Sequence, residues 1–355
     1  MPDKIIKIKN KSIGPGCPVF IIAEAGVNHN GSLELAKKLV DVAVAAGVDA
    51  IKFQTFTPEL LVIAEADQAE YQRRNTGKSE PQISMLKNLE LKREYHPMLQ
   101  DYCYAKNIIF LSTPFSESDA DFLESINVPA YKIPSGEITN IPYLRHIARF
   151  KKPMLVSSGM ATLEELKEAV AAVRAEDNDE IIILHSTSNY PPSLSSLNLN
   201  AISTISQAFK DLNIAVGYSD NGSAGVLADV AAVALGACVI EKHFTIDKNL
   251  PGPDHRASLD PEELKSLVLS IRDTEKMLGS GIKVPSPEEL PIAAVARKSI
   301  ISSRAIKAGQ VIAAHDLIMK RPGTGIKPGN IDLVIGKKAK IDIAPDAIIT
   351  WEMLS

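Results

Sequence analysis

At 355 residues the chain exceeds one typical domain, and 39 basic against 43 acidic residues leave a net charge of −4 with no block of like charge, which excludes an electrostatic footprint for nucleic acid or an anionic membrane. Cys17, Cys103 and Cys238 are odd in number and lack metal-type spacing, so they read as reduced thiols of a cytoplasmic protein without disulfides. The amino terminus, MPDKIIKIKNKSIGPG, has no continuous apolar signal region, and the most apolar stretch, residues 226–240, contains Asp229 and Gly236 and is too short to span a bilayer.

Eight short apolar runs are the predicted strands: 19–23, 49–54, 108–112, 130–134, 153–157, 180–185, 213–218 and 238–243. Their near-continuous Ile, Val and Leu suits strands covered on both faces. Helix-period segments lie between them. Residues 33–46 follow Ser32 and stop at Gly47, and residues 162–174 start from Thr162 with Glu165 three positions on, a capping box. Strict alternation over eight units predicts an α/β fold, a closed (β/α)8 barrel, although an open doubly wound sheet shares much of the pattern. One connection, residues 55–90, is far longer than the others, polar in its middle and helical at its flanks; connections of this size are functional lids or disordered. After the last strand, Asp260 caps a helix over 261–278, with Pro261 in first position and Glu262 and Glu263 against the dipole. The barrel domain is therefore expected at 1–278. A linker at 279–296, opening with GSGIKVPSPEELP, leads to a small all-β domain at 297–355, where short runs (SIISS, QVI, AKIDI, IITWEML) alternate with turns.

Residues at the carboxyl ends of barrel strands face the reaction site. Here the runs end in Glu24; Lys52 and Gln54; Ser112 and Thr113; Lys132 and Ser135; Ser157 and Ser158; His185 to Ser188; Ser219 and Asp220; and Glu241 to His243. Lys52 and Gln54 share strand parity, as do Glu241 and His243, so the members of each pair point the same way. Two lysines among several serines make a cradle for phosphate or carboxylate, because each ammonium carries three donors; the competing reading is a lysine stem snorkelling at a rim. Glu24 suits a general acid or base, and a structural pairing with Lys52 or Lys132 is compatible with that role. For His243 and His185, metal ligation competes with an ordinary hydrogen bond in the core, and no spacing matches a zinc site.

Taken together, AEAGVNHNGS (23–32), IKFQTF (51–56), LSTPF (111–115), YKIPSGEITNIPYL (131–144), VSSGMAT (156–162), VGYSD (216–220), VIEKHFTIDKNLPGPDHRASL (239–259) and KRPGTGI (320–326) resemble the sialic acid synthase family, from about residue 18 to the carboxyl terminus. The resemblance implies a TIM barrel followed by an antifreeze-like (SAF) domain. It implies condensation of phosphoenolpyruvate with N-acetylmannosamine to give N-acetylneuraminate and phosphate; the alternative is N,N′-diacetyllegionaminate synthesis from a 6-deoxy-2,4-diacetamido sugar. Motif by motif, it implies a phosphoenolpyruvate site at Lys52, Lys132, Ser135, Ser157, Ser188 and Ser219, a catalytic acid at Glu24, sugar contacts at Gln54, Tyr190 and Asp254, and the motif arginine at Arg321. It further implies a homodimer with exchanged domains, so that Arg321 serves the neighbouring subunit, and a divalent metal, manganese or magnesium, between two histidines. One of these positions is His243; the other holds Asn221, whose amide oxygen suits Mn2+ or Mg2+ but binds more weakly than imidazole, so metal dependence with lower affinity is expected. On residues alone, two competitors stay open: a Schiff-base aldolase using Lys132, and a non-catalytic binding protein, which would not need the full set of strand-end lysines and serines.

Overall fold

The computed structural model describes residues 5–77, 79–222 and 225–355. They divide into two units, Met1–Gly279 and Ser280–Ser355. The first unit begins with a short antiparallel hairpin, β1 (Ile6–Ile8) paired with β2 (Lys11–Ile13), which the sequence reading did not include. Each of the eight predicted runs then forms a strand: β3 (Phe20–Gly26), β4 (Ala50–Thr55), β5 (Ile109–Pro114), β6 (Tyr131–Ile133), β7 (Met154–Ser157), β8 (Ile181–Ser186), β9 (Ala215–Asp220) and β10 (Val239–His243). They run parallel in the order β5-β4-β3-β10-β9-β8-β7-β6, and β5 lies beside β6 at the seam, so the sheet wraps into a (β/α)8 barrel.

One strand parity builds the barrel interior from floor to mouth. Its lower layers are Phe20, Ile22, Ala50, Ile109, Leu111, Ala130, Leu155, Ile182, Leu184, Ala215 and Val239, all buried. Ile6, Ile8 and Ile13 of the hairpin join this cluster and plug the amino-terminal end. Burying each large aliphatic side chain contributes about 1.5–3 kcal/mol, so this floor stabilises the barrel beneath its mouth. The opposite parity, with Ile21, Ile51, Phe53, Phe110 and Ile133, packs on the helices.

The helix ends follow their caps. Ser32 accepts from the Leu35 N–H ahead of Leu33–Ala46, which stops at Gly47 with φ +81°, where a glycine carries no Cβ penalty. Thr162 and Glu165 exchange both capping-box bonds at the start of Leu163–Arg174, and Asp260 accepts from Glu262 and Glu263 ahead of Pro261–Leu278. The long 55–90 connection is more ordered than its composition predicts. It carries three short helices, Pro58–Leu61, Glu70–Thr76 and Gln82–Leu89, and the second occupies the polar middle.

In the second unit, the expected linker over 279–296 contains a helix, Glu289–Ala296: ELPIAAVA lacks glycine, and Pro291 falls in the first turn, where proline is tolerated. Of the β-like runs only the first is a strand, β11 (Ser299–Ser302), and it pairs antiparallel with β12 (Leu317–Lys320), a segment outside the predicted runs. The remaining runs are joined by single bridges, Val311↔Lys338, Ile306↔Ile343, Ala339↔Leu354 and Ile301↔Ile348. A core as small as Ile300, Ile306, Ile312, Ile326, Val334 and Ile349 is closed by tight turns, so the chain bends away after one bridge instead of extending a ladder. No described helix is long and apolar enough to cross a membrane.

Candidate active site

At the barrel mouth the inward parity changes from apolar to charged. Glu24, Lys52, Gln54, Thr113, Lys132, Ser157, Ser186, Ser219, Glu241 and His243 continue the layers begun by the aliphatic floor, around a cavity of about 430 Å³. Ser135, Ser188, Tyr190, Asn221 and Asp254 enter it from the loops above. Twelve of the thirteen residues singled out from sequence therefore meet in one cavity. The thirteenth, Arg321, belongs to the second unit, where it is exposed just past β12.

Two lysines and two glutamates form the charged centre. Lys52 Nζ lies 2.5 Å from Glu24 and 3.7 Å from Glu241, and donates to Thr113 Oγ1 at 2.9 Å. Lys132 Nζ lies 2.6 Å from Glu241 Oε1, which also accepts from Ser219 Oγ at 2.9 Å. Both lysines are buried, so neither snorkels at a rim. The two carboxyls are pushed apart. Burial drives Glu24 up to about 7, with Lys52 opposing and Glu241 adding to the rise. Burial also acts to raise Glu241, but Lys132, Lys52 and the Ser219 hydrogen bond outweigh it and hold the carboxyl low, at about 2. One carboxyl is thus poised to exchange protons near neutrality while the other stays a fixed anion.

Glu24 owes its orientation to a bulge in β3, where the register shifts between Glu24 and Gly26. Gly26 takes φ +52°, and a Cβ there would stand 3.4 Å from Glu24 Oε1, 3.5 Å from Gln54 Nε2 and 3.5 Å from His243 Cε1. Opposite lie the hydroxyls: Ser135 Oγ donates to Ser157 Oγ at 2.9 Å. Gly159 sits against them so closely that a Cβ would fall 2.1 Å from Ser188 Oγ and 2.5 Å from Ser135 Oγ, which keeps this position free of any side chain.

The residues expected to hold a metal are His243 and Asn221. His243 Nδ1 is buried without a hydrogen-bond partner among the described residues, and burial followed by Lys52 lowers its pKa to about 3, so the ring is neutral and its lone pair available. Asn221 donates its amide N–H groups to the Thr187 carbonyl at 2.8 Å and to Ser186 Oγ at 3.3 Å, so the amide oxygen is the atom it could offer to a cation. Among the described residues no group of three or more His, Cys, Asp or Glu forms a metal cage. One imidazole and one amide oxygen fit a weakly held hard divalent ion with open positions for substrate.

Glu241, central to the charge cluster, and Thr113 are absent from the sequence-derived site, although both carry the strand-end signal and Glu241 shares parity with His243. Tyr71, Gln72 and Gln82, from the long connection, and Met160 had no periodicity to mark them. His185 does not join the cavity; it hydrogen-bonds the Leu197 carbonyl at 2.8 Å, the core role that competed with ligation.

A (β/α)8 barrel whose mouth combines paired lysines, a proton-exchanging carboxyl and a ring of hydroxyls defines an enzyme acting on a small anion. The chain belongs to the NeuB family, whose model matches residues 39–283, and residues 297–355 match the SAF domain. It is a condensing enzyme of the transferase type. The chain is 48% identical over 353 residues to N,N′-diacetyllegionaminic acid synthase of Legionella pneumophila, spanning 98% of each protein. It is 44% identical over 332 residues to the Campylobacter jejuni protein of the same name, spanning 93% of this chain and 98% of that one. Among solved structures, the N-acetylneuraminic acid (sialic acid) synthetase of Leptospira borgpetersenii in complex with citrate superposes with a TM-score of 0.72 at 34% identity, covering 81% of this chain and 95% of that one.

Proposed function

We propose that the enzyme condenses phosphoenolpyruvate with an open-chain 6-deoxy-2,4-diacetamido sugar, giving N,N′-diacetyllegionaminate and phosphate. The observation that carries the reaction is the buried Lys52–Glu24 and Lys132–Glu241 cluster beside Ser135, Ser157, Ser188 and Ser219. On sequence motifs alone N-acetylmannosamine ranks first. Two observations favour the doubly acetylated sugar: the two relatives named for that product, and an apolar wall of Leu61, Val62, Met85 and Leu86 suited to its extra methyl groups.

In this reading the ammonium groups of Lys52 and Lys132 and the serine hydroxyls hold phosphate and carboxylate while C3 of phosphoenolpyruvate bonds to the sugar aldehyde carbon. Glu24, protonated to a useful extent at neutral pH, donates to the aldehyde oxygen as it becomes a hydroxyl. Its carboxylate then takes a proton from the water that adds at C2, and collapse of the tetrahedral carbon expels hydrogen phosphate and leaves the keto acid. Protons balance and Glu24 ends as it began. His243 and Asn221 would hold Mn2+ or Mg2+, whose contribution when bound is to polarise the carbonyl. Exposed Leu290, Ile292 and Val295 on Glu289–Ala296 support a homodimer, in which Arg321 serves the neighbouring subunit.

The test supplies phosphoenolpyruvate with each sugar and follows phosphate and keto acid. No phosphate with either sugar refutes the condensation, and a higher kcat/KM for N-acetylmannosamine reverses the sugar assignment. A borohydride-trapped adduct on Lys132 would restore the aldolase reading.

A further inference from the structure

The cavity also holds a hydrogen-bond donor and an acceptor that the chemistry above leaves unused. Asp254 is buried, and its Oδ1 has no hydrogen-bond partner among the described residues. Tyr71, on Glu70–Thr76 of the long connection, lines the same cavity. Its oxygen accepts from Gln72 Nε2 at 3.4 Å, while its own O–H has no acceptor among the described residues. Burial, and then the Asp254 carboxylate, push the Tyr71 hydroxyl above its ordinary value, so it remains a protonated donor close to that carboxylate.

The Tyr71 ring is held in place. It stacks on Tyr190 with centroids 5.0 Å apart at 23°, and Tyr190 meets His243 edge-on at 5.5 Å and 84°. Four residues on, Asn75 Nδ2 donates to the Pro253 carbonyl at 2.6 Å, tying the same helix to the loop that carries Asp254. Met85 and Leu86 of Gln82–Leu89 supply apolar surface in the same cavity.

A sugar whose aldehyde carbon meets phosphoenolpyruvate beside Lys52 and Glu24 directs its remaining carbons towards these groups. A secondary amide offers a carbonyl acceptor and an N–H donor on opposite sides of one plane, with a methyl beyond. Building on the proposed reaction, we propose that Tyr71 is a specificity-determining residue that recognises the second acetamido group of the sugar. The amide carbonyl accepts from the Tyr71 hydroxyl, the amide N–H donates to Asp254, and the methyl packs on Met85 and Leu86. A hydroxyl at the same sugar carbon carries both functions on one atom and lacks the amide's two opposed edges and its methyl. The long connection is thereby a selectivity element as well as a cover.

Tyr71→Phe tests this, because it keeps the ring stack and removes only the donor. The readout is the ratio of kcat/KM for the 6-deoxy-2,4-diacetamido sugar to that for N-acetylmannosamine, measured on wild type and variant by phosphate release. Loss of one hydrogen bond specific to the second amide lowers this ratio about tenfold. A ratio within about twofold of wild type, including an equal fall for both sugars, overturns the inference. The wild-type measurement separately judges the parent assignment: an enzyme favouring N-acetylmannosamine overturns that assignment and this inference with it, whereas one favouring the diacetamido sugar with an unchanged ratio in the variant overturns only the role of Tyr71.

Discussion

Replacing Lys132 by Met keeps most of the aliphatic stem and deletes the ammonium, which isolates the charge from the packing. Lys132 is 6% exposed and stands 2.6 Å from Glu241, whereas Lys52, the other cation of the cluster, lies 3.7 Å from the same carboxylate. A hydrogen bond from a charged group contributes roughly 1.5–3 kcal/mol, and at about 1.4 kcal/mol per decade the KM for phosphoenolpyruvate rises about 10- to 150-fold. The sugar KM stays within about threefold, because no charge is removed from the wall that receives the sugar. Breaking a buried pair costs about 3–5 kcal/mol of stability when the partner stays charged. Glu241 meets part of that cost by taking up a proton as its carboxyl, held low chiefly by Lys132 and Lys52 against burial, rises again. The assay is initial-rate phosphate release with one substrate varied and the other saturating, at a temperature where circular dichroism shows the variant folded. Equal rises in both KM values would refute the cradle, since they would mean that Lys132 supports the barrel mouth as a whole.

Glu24 keeps its proton up to about 7, so above that pH it adds a negative charge to the anion cradle; the affinity for phosphoenolpyruvate, measured by calorimetric titration without sugar, falls as pH rises through that value, the inactive Glu24→Gln loses this pH dependence, and a fall surviving in the variant assigns the titration elsewhere. Asn221→His places imidazole opposite His243 and tightens Mn2+ binding in a direct titration followed by paramagnetic resonance, whereas His243→Ala weakens it; a wild-type rate indifferent to chelators removes the metal from the reaction. Glu24→Gln and Arg321→Ala, each inactive, are unfolded and refolded together: if Arg321 acts on the neighbouring subunit, random pairing restores about a quarter of wild-type activity, and a dead mixture refutes action in trans.

The sequence by itself determined the barrel and most of its mouth, because the signals are local. Burial on both faces forces Ile, Val and Leu runs, caps such as Thr162 with Glu165 mark helix starts, and period-two parity puts Lys52 beside Gln54 and Glu241 beside His243 on the inward side. The β1–β2 hairpin escaped because three-residue strands are too short for any periodicity, and the second unit's runs misled because single bridges replace ladders there. Only the tertiary structure decided what the charges do. Glu24 and Glu241 are equivalent letters in the sequence, yet one is driven up and the other held down, since burial is common to both while Lys132 and Ser219 bond directly to Glu241, and Lys132 acts on Glu24 only as the weakest of its influences. Likewise Tyr71 lies 119 positions before Tyr190 in the chain, and no pattern in the sequence links them; the long connection folds back over the mouth and brings the rings to 5.0 Å. Distances between residues remote in sequence set desolvation and Coulomb energy, and those quantities exist only once the chain has closed on itself.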